Sequence, residues 1–119
     1  MATVVAAIND VFFLAKVHDA IKAAGAEMKL ARTAAEALEG ARAGAALVVV
    51  DLNDRGFPAL ELAAALRSEA ALAGVPVVGF LSHVQVDLKA RAEAAGMTEV
   101  VARSVFSTKV GEILKRYVG

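Results

Sequence analysis

Three stretches of the 119-residue chain are apolar on nearly every consecutive position: residues 3–8, 46–50 and 77–81. A strand that is apolar without alternation is covered on both faces, as in a parallel sheet between two helical layers. Residues 26–31 alternate instead, with Ala26, Met28 and Leu30 against Glu27 and Lys29, which suits a more exposed strand near a sheet edge. A fifth, weaker strand fits residues 99–103. Between the strands the apolar spacing is helical. Residues 11–24 place Leu14, Val17, Ile21 and Ala24 on one stripe, and Gly25 ends that helix. Thr33 and Glu36 have capping-box spacing ahead of a helix to about residue 43, whose end Gly40 and Gly44 weaken. A third helix follows Pro58 and runs to about Ala70 with Leu62, Leu66 and Ala70 in register. A fourth spans residues 84–95. Ser107 is a cap for a fifth, whose apolar positions are Val110, Ile113, Leu114 and Tyr117. Five strands alternating with five helices predict an α/β fold, a doubly wound five-stranded parallel sheet.

The polar residues that end the strands matter most for function. Asp51 closes the central apolar run, where such sheets place ligands and chemistry. Asn9 and Asp10 follow the first strand, and either can cap the next helix. Ser82 follows the fourth. Right-handed crossovers and one switch in strand order bring Asn9, Asp10, Asp51, Ser82 and a position after the fifth strand together. Two carboxylates beside an amide and a hydroxyl form a hard-oxygen site, suited to Mg²⁺ or to orienting a phosphoryl group. The competing reading is a set of independent caps and turn residues.

Composition removes several classes. There is no cysteine, hence no disulfide framework and no thiolate nucleophile. Thirteen basic and thirteen acidic residues cancel, so there is no overall pull toward nucleic acid or anionic lipid. No apolar run approaches membrane-spanning length, and the N-terminus lacks secretory-signal architecture, so a soluble cytoplasmic protein is the expectation. The turn after the first strand, Asn9-Asp10-Val11-Phe12, is not a dinucleotide-binding glycine turn, and no phosphate-binding P-loop occurs. Ser82 lacks a nucleophile elbow and adjoins His83, a loop pair suited to partner contact more than to catalysis.

Asp10, the central Asp51, Ser82 after P-V-V-G-F-L, and the run E-A-A-G-M-T-E-V-V before the last helix resemble the receiver domains of bacterial two-component response regulators, across practically the whole chain. The resemblance implies a flavodoxin-like (βα)5 fold, strand order 2-1-3-4-5, in one domain over residues 1–119. It also implies phosphoryl transfer to Asp51 from a histidine kinase or phosphotransfer protein, with slow autodephosphorylation the only further activity. Mg²⁺ would be held by Asp10, Asp51 and the main-chain carbonyl of Asn53, the Ser82 hydroxyl would turn toward the phosphoryl group, and binding to a downstream signalling protein or a homo-oligomer would change.

The chain departs from that pattern at several places. Asn9 stands where the first of two metal acids is usual, which predicts weak Mg²⁺ binding, and Asp54-Arg55 stands where a Met-Pro pair is common. Val101 occupies the aromatic switch position. Ser104-Val105-Phe106 replaces Lys-Pro-Phe, so the phosphate-binding lysine is absent. Arg103 adjoins that position, yet adjacent strand residues face opposite sides, so it substitutes only if the strand is bulged or the alignment slips. These losses define the alternative: a degenerate receiver acting as a phosphorylation-independent interaction module, through the face built from about residue 84 to residue 117. His83, Arg103, Ser104 and Tyr117 are its candidate partner contacts.

Overall fold

The computed structural model describes residues 1–82 and 84–118. Strands β1 (Thr3–Ala7), β2 (Glu27–Leu30), β3 (Leu47–Asp51), β4 (Val77–Leu81) and β5 (Glu99–Ala102) alternate with helices α1 (Val11–Ala23), α2 (Ala34–Arg42), α3 (Ala59–Ser68), α4 (Val86–Ala94) and α5 (Arg103–Val118). All strands are parallel, in the order β2-β1-β3-β4-β5, with Val4 opposite Leu47 and Asp51 opposite Phe80. This is the doubly wound topology and strand order that the pattern and the resemblance imply.

The two-residue period of a strand sorts the continuous apolar runs into two cores. Val5, Ala7, Val48, Val50, Val77 and Leu81 face the layer of α2, α3 and α4. Val4, Ala6, Leu47, Val49, Val78 and Phe80 face α1 and α5. All five residues of β3 and of β4 are buried, whereas β2, at the edge, keeps Glu27 and Lys29 exposed. On α1, Val17 and Ile21 are buried, while Leu14 and Ala24 are half-buried. Thr33 caps α2 by accepting from the Glu36 N–H at 3.1 Å. Glu36 Oε1 accepts from the Arg32 N–H at 2.6 Å, one residue before the cap, so the reciprocal bond of a capping box is displaced.

Two helices differ from expectation. Helix α3 ends at Ser68, Glu69 turns extended (φ −94°, ψ 114°), and Ala70 opens a short 3₁₀ turn (Ala70–Leu72) on the surface, so the core residue there is Leu72. The bidentate Arg42–Glu69 pair, at 2.8 and 2.9 Å, ties that break to the end of α2. Helix α5 begins at Arg103, immediately after β5, and kinks at Lys109 (φ −113°, ψ 19°). Ser107 therefore lies within the first segment and caps nothing; its hydroxyl accepts from Lys16 Nζ of α1 at 2.7 Å. Beyond the kink Val110, Ile113 and Leu114 are buried as expected, and Tyr117 is half-buried.

Gly40 is no weakness in α2. A β-carbon there would meet Val5 Cγ2 at 2.6 Å, so its absence lets the helix approach β1. Gly111 of α5 has open space around the same position. Gly40→Ala should destabilise the domain by about 1 kcal/mol, because displacing a stiff, fully buried valine outweighs the gain in helix propensity. Gly111→Ala should stabilise it by up to about 1 kcal/mol. Urea unfolding of the two variants checks the opposite signs.

Candidate functional site

The carboxyl ends of β1, β3, β4 and β5 deliver Asp10, Asp51, Ser82 and Arg103 to one edge of the sheet. Asp51 is the last residue of the buried central strand and is only 5% exposed. Its Oδ1 accepts from the Asn53 main-chain N–H at 2.9 Å. Its Oδ2 accepts from Arg103 Nη2 at 2.8 Å. The other terminal nitrogen of Arg103 lies 3.8 Å from Asp10 Oδ2. Asp10 Oδ1 accepts from the Phe13 N–H at 3.1 Å and so caps α1. One guanidinium thus bridges the two acids.

Arg103 reaches the site because the alternation argument does not apply to it. Strand β5 stops at Ala102, and Arg103 is the first residue of a helix, free of the strand's facing rule. Its guanidinium carbon lies 4.7 Å from the ring centre of Phe13 and 5.1 Å from that of Phe80. The two ring centres are 4.5 Å apart and lie 5.9 Å (Phe13) and 5.0 Å (Phe80) from that of Phe106. An aromatic face attracts a cation by about 0.5–2 kcal/mol, so the rings orient the guanidinium that the carboxylates charge-pair. The apolar pattern marked Phe80 and the family match marked Phe106 as ordinary positions. Neither revealed a platform for Arg103.

A second network fixes the loops. Asn53 Oδ1 accepts from the Ser82 N–H at 2.9 Å, and the Asn53 side-chain amide donates to Gln85 Oε1. Gln85 Oε1 also accepts from the Ser82 N–H, at 3.1 Å. Asn53 and Gln85 therefore hold the half-buried Ser82 beside the loop after β3. Asn9 is exposed and donates its side-chain amide to Asp54 Oδ2. Asp54 Oδ1 in turn accepts from the Gly56 N–H at 2.9 Å. Asp54 carried no signal for this contact beyond being a polar loop residue, and Gln85, expected inside the fourth helix, instead precedes its first residue, Val86.

The remaining candidates lie elsewhere. Ser104 is exposed in the first turn of α5, and its carbonyl accepts from the Thr108 hydroxyl at 2.9 Å. Val101 is half-buried and packs in the α1/α5 core. The Tyr117 hydroxyl donates to Glu99 Oε1 at 2.7 Å, closing the end of α5 onto the start of β5. His83 lies outside the described residues. Among the described residues, no three His, Cys, Asp or Glu side chains are grouped to hold a metal ion, and no helix is long and apolar enough to cross a membrane.

No family model and no curated protein matches the chain. Solved structures do. The chain is similar to a response regulator from Burkholderia multivorans, with TM-score 0.76 and 26% identity over 98% of this chain and 94% of that one. A chemotaxis response regulator of Vibrio cholerae matches at TM-score 0.82 and 21% identity, covering 98% of both chains. The receiver domain of a sensor histidine kinase from Pseudomonas aeruginosa matches at TM-score 0.82 and 13% identity, over 99% of this chain and 98% of that one. That structure carries a magnesium ion in its active-site cleft. The chain has the response-regulator receiver fold. At the carboxyl edge of this sheet one arginine joins the two acids.

Two measurements probe these contacts. Asp51→Asn and Arg103→Gln should each destabilise the receiver fold, and the double variant should lose less than the sum by about 1–3 kcal/mol, as expected for direct partners in a double-mutant cycle. Burial, then the bond to Glu99, raises the Tyr117 hydroxyl from an ordinary 10.0 to about 12. A raised value means the protonated form is favoured in the fold. The stabilisation is therefore complete below pH 10.0 and is lost as pH rises through about 12. The stability gap between the native chain and Tyr117→Phe should shrink across that window in pH-dependent unfolding.

Proposed function

We propose that this receiver-fold chain is a signalling domain that acts by binding a partner protein, without a need for phosphoryl transfer. The observation that supports this most is the bridging guanidinium: Asp51 already holds a cation at 2.8 Å, and Arg103 rests on two aromatic rings. The recognition surface is the face of α4, β5 and α5. There a groove of about 300 Å³ runs between α4 and the edge strand β5, with Leu81, Val86, Val100 and Ala102 along it and Lys89 at its side. Val84 and Val86 are 71% and 70% exposed, and Val105 also projects into solvent. Apolar side chains grouped on one exposed face mark a protein contact more than they serve the fold. The partner would place an apolar side chain against Val86 and polar groups near Ser104 and Lys89.

Phosphoryl acceptance on Asp51 is the second reading, and the position of that carboxylate favours it. A phosphohistidine from a histidine kinase or phosphotransfer protein would give up its phosphorus to a carboxylate oxygen. The P–N bond breaks, and imidazole leaves with a proton from water or a partner acid. Arg103 would supply N–H donors to the phosphoryl oxygens, and Ser82, held by Asn53 and Gln85, would turn its hydroxyl to the same group.

A magnesium ion is part of that chemistry in receivers, where it offsets charge on the acids and the phosphoryl oxygens. The side chains here do not fit it as they stand. Asp51 Oδ2 is occupied by Arg103, Asp10 Oδ1 by the cap of α1, and Asn9 donates to Asp54. No step in the first reading uses the ion.

Capture of the partner from the source cell with native, Asp51→Ala and Val86→Asp baits separates the readings. Equal capture by the first two and a loss of about tenfold with Val86→Asp is the expected result. Capture that requires Asp51, together with one phosphoryl group added to the intact mass by acetyl phosphate, would establish the phosphorelay role instead.

A further inference from the structure

We infer that Arg103 is the resident cation of the acid pocket, standing in for the divalent ion, so that the native pocket is indifferent to Mg²⁺. The Asp51–Arg103 contact that supports the phosphorylation-independent reading also carries this one. Mg²⁺ demands near-octahedral oxygen ligands at about 2.0–2.1 Å and gives up its waters reluctantly. Both Asp51 oxygens are already engaged, Oδ1 by the Asn53 N–H at 2.9 Å and Oδ2 by Arg103 Nη2 at 2.8 Å, with Arg103 Nη1 3.8 Å from the facing oxygen of Asp10. An ion between these acids would lie against a guanidinium of the same sign. Asp51 is deeply buried, whereas the Arg103 and Asp10 side chains are 34% and 45% exposed. The arginine can thus leave only by abandoning a carboxylate that water barely reaches.

Four side chains position Arg103. Phe13 and Phe80 lie beneath it, at 4.7 and 5.1 Å. Phe106, three residues further along the same helical segment, is fully buried against Phe80 and anchors the backbone from which Arg103 projects. Lys16 of α1 bonds the Ser107 hydroxyl in that segment. The charge count agrees. Asn9 is neutral where a third acid would deepen the field, so two carboxylates face one fixed positive charge. The guanidinium offsets half of what a divalent ion would offset in an ordinary pocket. A cation carried by the chain costs no binding entropy and cannot be removed by a chelator.

The test is thermal unfolding in EDTA and in millimolar MgCl₂ at matched ionic strength, on the native chain, Arg103→Gln and Asn9→Asp/Arg103→Gln. The native midpoint should be the same in both solutions. Arg103→Gln should gain a Mg²⁺-dependent rise, and the double variant a larger one, because each step restores carboxylate charge to the ion. A Mg²⁺-dependent rise in the native chain would overturn the inference. So would an unresponsive Arg103→Gln, since the guanidinium would then not be what excludes the ion. Should that variant fail to fold, Mn²⁺ titration of the native chain followed by amide resonances decides. Unbroadened signals at Asp10, Asp51 and Asn53 support the inference, and selective broadening there rejects it.

Discussion

The contact on which the site depends is the ion pair between Asp51 and Arg103. Five consecutive buried residues make β3 the most deeply covered strand together with β4, and its last residue is a carboxylate. A lone buried charge is costly, and the penalty falls only if partners and hydrogen bonds replace water. Asp51 has both: one oxygen on the Asn53 N–H and the other on Arg103. The arginine stays partly in water, which lowers its own desolvation cost and makes the pair less expensive than one sealed in the core. Much of the local architecture follows from this need. The rings of Phe13 and Phe80 form a floor for the guanidinium, and Phe106 completes their packing.

The kink at Lys109 reconciles two demands made on one helix. The segment before it must aim Arg103 at the pocket and Phe106 into the aromatic stack. The segment after it must lay Val110, Ile113 and Leu114 into the core that α5 shares with α1, β4 and β5. A straight helix fixes these directions relative to each other through its 3.6-residue turn. One residue with non-helical dihedrals frees them. The bond between Lys16 and Ser107 then secures the first segment to α1, whose own N-terminus is capped by Asp10. The same acid therefore serves the helix that supports the site and the charge balance within it.

The fold was legible because burial on both faces leaves a mark that survives in one sequence: runs such as Val48-Val49-Val50 and Val77-Val78 are hard to place anywhere but in a covered parallel strand. Asp51 and Asp10 were legible for the same reason, as polar residues at the ends of such runs. Arg103 was legible only as a conditional substitute, because the alternation rule presumes a strand that continues, and the end of β5 has no turn residue to announce it. Ser107 drew the helix start five residues too late, since a serine ahead of apolar spacing resembles a cap even when its hydroxyl serves a lysine on another helix. Gln85 and Asp54 bond through loop geometry that no periodicity encodes. Ala70 failed as a core position because the Glu69 backbone, bonded through its side chain to Arg42, breaks the helix one residue earlier.

Pocket and exposed face are joined through very short stretches of chain. Gln85 bonds Ser82 and Asn53 in the pocket, and the next residue, Val86, stands in solvent at the start of α4. Arg103 bonds Asp51, and Val105 projects two residues later. A partner covering Val86 and Val105 would therefore press on the same backbone that holds the Ser82 loop and the guanidinium. Coupling requires more than this proximity. It requires that the partner bind one arrangement of those groups better than another, since a ligand shifts an equilibrium only by its differential affinity. The structure shows one arrangement, Arg103 on Asp51; a second, with Arg103 drawn toward solvent, would leave Asp51 relying on the Asn53 N–H alone. The second leaves a buried carboxylate poorly compensated, so the first dominates at rest, and a partner gains leverage over the pocket only to the extent that its contacts repay that cost.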